Sequence, residues 1–146
     1  MLYFGLAGPS AALAAFLQSA GPENVLWVPA SVGLDALLIP PDIEPGPCSA
    51  PTVLAPPASA PAAAQLITYG LGPQETLTFS ALDTGCVLSL QRDIITLQGR
   101  RLERQELPLP PSHTAQEPEL LLALCGALLT AGVAPEALGD ALGPGA

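Results

Sequence analysis

Residues 2–28 read LYFGLAGPSAALAAFLQSAGPENVLWV, and this stretch decides the fold. Residues 2–7 form a short apolar run, the pattern of a buried strand. Gly8-Pro9-Ser10 breaks it, and Ser10 stands where a helix N-cap belongs. Residues 11–19 then place Leu13, Phe16 and Leu17 on one helical face, and Gly21-Pro22 stops the helix. Residues 25–28 are a second apolar run. A strand, a helix and a strand in that order predict parallel strands joined by a right-handed crossover.

Outward from this unit the elements shorten. Residues 34–39 read as a third short strand or a helical turn. A proline-rich loop spans 42–51, and a further short strand spans 52–55. Residues 56–64 are rich in Ala and Pro and read as a loop leading into a brief helix. Residues 65–71 are the clearest buried strand of the middle. From there the pattern changes: residues 76–82 and 86–91 alternate polar and apolar, as half-buried strands do. Residues 94–97 and 101–107 flank Gln98-Gly99. A two-residue loop there sets Ile95 opposite Leu102 and Asp93 opposite Arg104. Proline-rich residues 108–112 close the sheet region.

Residues 117–130 then read as a helix. Thr114 and Glu117 have capping-box spacing, and Pro118 fits the first turn. Leu120, Leu121, Leu124, Leu128 and Leu129 give it a wide apolar stripe to lay on a sheet. A last short helix spans 135–142.

Composition limits what such a domain does. The chain has 146 residues, of which 49% are hydrophobic and 12% charged. That is enough for one ordinary domain with a core, and too apolar for a disordered acidic chain. The 18 prolines and 14 glycines predict short elements and proline-rich loops. The net charge is −9, lysine is absent, and the four basic side chains are Arg92, Arg100, Arg101 and Arg104. A surface of that sign repels phosphate backbones and anionic lipid, so no nucleic-acid or membrane partner is expected. Without lysine there is no Schiff-base chemistry and no P-loop, and no cofactor is expected.

Cys48, Cys86 and Cys125 are odd in number and have no metal-ligand spacing. Cys125, in an apolar run, reads as a core residue. Free thiols suit a reducing compartment, so the expected localisation is cytoplasmic. No basic residue precedes the first apolar stretch, and a signal peptide is not expected. The longest apolar run, 120–134, is short for a bilayer span.

Several pieces of the second half form a recognisable series. Leu66-Ile67-Thr68-Tyr69-Gly70-Leu71 is a strand ending in TYG. Alternating strands and a hairpin follow over 76–106. Leu107-Pro108-Leu109-Pro110 and His113 are similar to LPLPGxHN. The helix over 120–138 ends in Gly132-Val133-Ala134-Pro135-Glu136-Ala137-Leu138, similar to GVxPExI. In this order the segment 65–142 resembles the last part of the central domain of Mur ligases, which add amino acids to peptidoglycan precursors. The resemblance covers about half of the chain.

It implies a short relative of that fold in which the brief 2–28 unit replaces the ATP half. The family's ATP loop needs a lysine, which this chain lacks. The family's central domain is also much longer, with magnesium ligands and, in several members, a carbamylated lysine. Thr114 stands where the family has Asn. The resemblance therefore implies no catalytic residue here. It implies an accessory or interaction role linked to cell-envelope or sporulation biology.

Candidate site residues divide between a functional and a plainer reading. Phe4-Gly5-Leu6-Ala7-Gly8-Pro9-Ser10 is a glycine-bearing turn able to present N–H groups to an anion. Pro9 removes one donor, and an ordinary strand-to-helix turn is the favoured reading. Ligands of open parallel sheets sit at strand carboxyl ends, which puts Gly5, Tyr69 and Gly70 near such an edge. Trp27 and Tyr69 both read as core, with Tyr69 placed to turn its hydroxyl into a cleft. His113, the only histidine, lacks a nucleophile motif and reads as a loop residue or a ligand contact. Arg92 and Arg101 are the candidates for an anion- or partner-binding edge. Pairing with Asp93, Glu103 and Glu106 is the plainer account of the arginines. The carboxylate pairs Asp42/Glu44 and Glu117/Glu119 have no evident polar pocket, so acid–base hydrolysis is not read from them.

The expectation is a single α/β domain over residues 1–146. Its small mixed sheet has a parallel N-terminal half (1–64). In the second half (65–146) antiparallel hairpin strands follow, and a C-terminal helix packs on one face. The expected role is a non-catalytic interaction or accessory protein, acting with a protein partner or a second copy of itself. The alternative is a nucleotide or small anion in the strand-end cleft, drawing on Gly5, Tyr69, Gly70, Arg92, Arg101 and His113.

Overall fold

The computed structural model describes residues 1–8, 11–31, 33–46, 48–81, 86–109 and 117–143. Five strands form a parallel sheet: β1 (Leu2–Leu6), β2 (Val25–Pro29), β3 (Ala36–Leu38), β4 (Thr52–Ala55) and β5 (Gln65–Thr68). Their order is β2-β1-β3-β4-β5. The segment 34–39 is thus a strand. Helix α1 (Ala11–Ala20) joins β1 to β2, and Ser10 lies outside the described residues.

The winding reverses after β2. From β1 to β2 the chain moves one way, and from β3 onward it moves the other. Right-handed crossovers then put the connections on opposite faces. On the second face Leu34, Ile43, Cys48, Ala50, Ala60 and Ala63 cluster with Leu37, Ile39 and Val53 of the sheet. The connection from β2 to β3 crosses β1 there, and a Cβ on Gly5 would sit 2.4 Å from Leu34 Cδ1. Gly5 is the gap that lets this crossover lie flat.

The other face carries the main core. Helix α2 (Pro118–Ala131) packs on β4 and α1, and also on β6 (Leu77–Ala81). Strand β6 belongs to an antiparallel sheet with β7 (Cys86–Leu90) and β10 (Gln105–Leu109), in the order β10-β7-β6. A parallel bridge between Tyr69 and Leu77 ties this sheet to the end of β5. Helix α2 is therefore walled by both sheets. Every residue from Leu121 to Ala131 is buried, where the sequence predicts only a stripe. Gly126 makes this possible: a Cβ there would lie 2.8 Å from Leu54 Cδ2 and 3.1 Å from Leu77 Cδ2.

Both ends of α2 differ from a simple capping box. The N-cap position is Glu117, without a side-chain cap bond, and Pro118 opens the helix. Thr114 lies outside the described residues. At the other end Gly132 is left-handed (φ 113°). Its N–H donates to the Leu129 carbonyl and the Val133 N–H donates to the Leu128 carbonyl, a Schellman closure. The short helix α3 (Leu138–Ala141) follows.

The hairpin β8 (Ile94–Ile95) and β9 (Arg101–Leu102) corrects the expected register. Ile94 pairs with Leu102 and Ile95 with Arg101. The loop holds three residues, with Thr96 N–H donating to the Arg100 carbonyl and Gly99 at φ 80°. A turn followed by one left-handed glycine is the common three-residue solution. The one-residue slip exchanges the faces: Ile94 is 3% exposed and Ile95 46%. The segment 101–107 is also not one strand, because the ladder stops at Glu103-Arg104 and resumes as β10. Pro108 sits within β10, an edge strand that tolerates a missing N–H.

Glutamine amides seal the parallel sheet. Gln18 of α1 donates to the Val25 carbonyl at 3.0 Å and accepts from the Trp27 N–H at 2.9 Å, along the outer edge of β2. Pro29 ends that edge without a donor. Gln65 clasps both backbone groups of Ile95, at 2.9 and 2.8 Å. Among the described residues, no helix is long and apolar enough to cross a membrane.

Three expectations follow. Gly126→Val should lower stability by about 1–3 kcal/mol through overpacking. Gly126→Ala should be nearly neutral, because a helix-propensity gain of about 1 kcal/mol opposes the displaced leucines. Urea denaturation checks both. Gln18→Ala should leave two edge groups unpaired and make the protein more prone to aggregate on heating, readable by light scattering.

Candidate functional site

The winding reversal leaves a cleft where β1 and β3 part at their carboxyl ends. Its volume is about 350 Å³, within the range of small-ligand sites. The chain leaving β1 supplies Ala7 and Gly8, and the chain leaving β3 supplies Pro40, Pro41, Asp42 and Ile43. Leu13 of α1 and Glu117 and Leu120 of α2 complete the lining.

Local sequence shapes both loops. Gly8 has φ 89°, and a Cβ there would come within 3.1 Å of Ile43 Cγ2. Conformation and space both require glycine. Asp42 has φ 62°, the one positive value at a non-glycine among the described residues. Pro41 fixes the position before it, and a short polar side chain tolerates the left-handed region. The turn thereby places Asp42 in the lining of the cleft.

Tyr69 holds this wall from below. Its ring is fully buried, and its hydroxyl donates to the Ile39 carbonyl at 2.6 Å. The hydroxyl does not open into the cleft. It pins the backbone immediately before Pro40-Pro41. Burial pushes its pKa far above the usual tyrosine value, and the negative charges of Glu119 and Asp42 push it further.

The other predicted residues do not converge on the cleft. Gly5 lies mid-strand beneath Leu34. Gly70 is buried, and its N–H donates to the Leu77 carbonyl. Arg92 donates to Thr76 Oγ1 at 3.1 Å and to the Gln74 carbonyl at 2.8 Å. Gln91 donates to the carbonyls of Pro73 and Glu75 beside it. Gly70 and Arg92 therefore meet at one loop, which Arg92 staples. Arg101, not Arg104, forms the ion pair with Asp93; Arg104 donates its backbone N–H to Asp93, at 2.9 Å. That backbone hydrogen bond and the Arg101 guanidinium hold the Asp93 carboxyl below its usual pKa. His113 lies outside the described residues.

The cleft residues themselves were visible only in part. Asp42 and Glu117 read as members of separate sequence-local pairs, and the cleft brings these two into one lining. A Pro-Asp turn was the available signal for Asp42. Leu13, Ile43 and Leu120 carried none beyond hydrophobicity. Among the described residues, no three His, Cys, Asp or Glu side chains come together to hold a metal. Cys86 and Cys125 are buried in the core, and burial pushes both thiols upward.

Tyr69→Phe should cost about 1–3 kcal/mol, because the buried Ile39 carbonyl loses its hydroxyl partner. The raised pKa values of Tyr69, Cys86 and Cys125 favour folding while these groups are neutral. That contribution is complete below their usual values of 10.0 and 9.0, and is lost as pH rises beyond them. Urea midpoints should therefore fall from about pH 9 upward. Tyr69→Phe should remove the part of the fall that begins near pH 10, and an unchanged alkaline slope would contradict the assignment.

No family model matches the chain, and neither a curated protein nor a solved structure matches it.

Proposed function

We propose that this chain is a non-catalytic interaction or accessory protein, a short relative of the Mur ligase central domain without its nucleotide-binding half. The unequal covering of the parallel sheet carries the interaction reading. Parallel sheets ordinarily bury both faces under helices. Here α1 and α2 cover one face, and loop segments cover the middle of the other. Tyr3 and Leu26, paired neighbours on β1 and β2, remain 41% and 38% exposed on it. Gln18 closes the β2 edge, so a partner here meets the face and does not add a strand beside β2. The charge of −9 favours a neutral or basic partner surface.

The support for the Mur ligase relationship is the order of pieces from Tyr69-Gly70, through antiparallel strands, to a helix followed by Gly132 and Pro135-Glu136. Three free cysteines support a cytoplasmic setting.

Light scattering over a wide concentration range, with pull-down on the full chain, tests this reading. Association with a partner or a second copy should appear, and Tyr3→Glu with Leu26→Glu should abolish it without lowering the melting temperature. A chain that stays monomeric and retains no partner speaks against the interaction reading. ATP hydrolysis that survives purification to homogeneity would overturn the non-catalytic one.

The cleft between β1 and β3 favours a second reading, a small-molecule binding domain, because it lies where parallel sheets bind ligands. Its lining carries Asp42 and Glu117 and no arginine, which disfavours the nucleotide or anion expected there.

A further inference from the structure

The open strip of the parallel sheet lies along β2 and β1. Leu26, Val28 and Ala30 alternate with the core residues Val25 and Trp27, so they stand on the face away from α1. Tyr3 is the neighbour of Leu26 on β1. Leu34, lying over Gly5, bounds the strip on the β3 side. Two strands make a strip about 10 Å wide, which is the diameter of one helix. On the opposite face the same two strands carry just such a helix, α1, packed through Leu13, Phe16 and Leu17.

The side-chain charge beside this strip has one sign. Asp35 continues the row beyond Tyr3: its N–H donates to the Tyr3 carbonyl at 2.9 Å, and its carboxylate accepts from the Tyr3 N–H at 2.8 Å. A carboxylate therefore sits at the backbone of the exposed tyrosine. Glu23, also exposed, precedes β2. No basic side chain answers them. All four arginines fall within 92–104, a segment that Gln65 holds against β5. Strand β5 is the far edge of the sheet, four strands from β2. That is about 19 Å, beyond the reach of screened charge at physiological salt.

We propose that this strip is the docking site for a basic amphipathic helix of another protein. The inference rests on the interaction reading above and names the partner's chemistry. Apolar side chains of the helix lie on Tyr3, Leu26 and Val28, and a Lys or Arg beside them meets Asp35. A second copy of this chain does not supply such a helix, because α1, α2 and α3 contain no lysine or arginine. Two chains of charge −9 also repel each other. The basic feature a second copy does offer is its 92–104 hairpin. A hairpin seated on this face is a heterologous contact, which builds rings or open chains and not a two-fold dimer.

The test is a titration of the full ¹⁵N-labelled chain with a synthetic helical peptide of about 14 residues, leucine on one face and lysine on the other. Its counterpart with glutamate for lysine is titrated in parallel, and sedimentation velocity follows the chain alone. The leucine–lysine peptide should shift the amides of Tyr3, Leu26, Val28 and Asp35 saturably, and the leucine–glutamate peptide should not. Tyr3→Thr with Leu26→Thr should weaken binding at least about tenfold through lost apolar contact. Threonine suits a strand, so the melting temperature should hold. Asp35→Asn keeps an acceptor for the Tyr3 N–H and should weaken binding about two- to fivefold, as for one exposed charge pair. Equal shifts from the leucine–glutamate peptide would overturn the basic chemistry. Shifts that spare these amides, or that survive the double threonine variant undiminished, would overturn the face as the seat of the helix. Self-association of the chain alone, abolished by the same double variant, would put a second copy on the face. It would overturn the partner helix and leave the interaction reading standing. Silence from both peptides in a chain that stays monomeric would overturn the helix, and the pull-down then decides the interaction reading separately.

Discussion

The fold depends on the contact between Gly126, Leu54 and Leu77. A helix in a two-layer α/β domain ordinarily needs one apolar stripe. Helix α2 has walls on several sides, with the parallel sheet reaching it through Leu54 and the antiparallel sheet through Leu77. A residue without a side chain lets both sheets close on the same turn without displacing the tips of Leu54 and Leu77. The interior that results joins Phe4, Leu54, Ile67, Leu77, Leu88 and Leu128 in one cluster. Thr130 fits there because its hydroxyl donates to the Gly126 carbonyl at 2.7 Å, so the buried oxygen is satisfied within the helix.

A second absence of side chain governs the other face. With the order β2-β1-β3, the chain must cross over β1 to start β3, and Gly5 leaves room for Leu34 to do so. The crossover, not a ligand, explains this glycine. The same reversal opens the cleft on the far side of the strand ends. One topological feature thus accounts for both the position of the candidate site and the elimination of Gly5 from it.

The legible part of the fold was the part whose signals are local. The first strand, helix and strand follow from hydrophobic period and glycine–proline stops, and they hold to within a residue. The helix over 117–130 was equally plain, but its burial on all sides was not, since period reports one face and says nothing about a second sheet. The hairpin failed by one residue: Gln98-Gly99 reads as a two-residue turn, while Gly99 serves as the last residue of a three-residue loop. That slip moved the Asp93 partner from Arg104 to Arg101. The cleft was least legible, because Asp42 and Glu117 are 75 positions apart and meet only through the strand order. Tyr69 was read correctly as core, but its hydroxyl goes to a backbone carbonyl and not to open space.

The two ends of α2 explain why the arginines drew attention and why they do not make the site. Carbonyls at a helix C-terminus carry partial negative charge, and cations nearby stabilise it by about 0.3–1 kcal/mol. Arg100 and Arg101 stand beside Leu129, Gly132 and Val133 at that end. The Leu97 N–H and the Gln98 amide take the last carbonyls directly, the latter at 2.7 Å to Ala131. At the opposite end the carboxylates of Glu117 and Glu119 meet the positive pole. Charge is therefore sorted along α2 according to its dipole, with base at one end and acid at the other. Asp42, delivered from β3, adds to the acidic end without belonging to the helix at all. The acid there exceeds what the dipole balances, and that excess gives the cleft its sign.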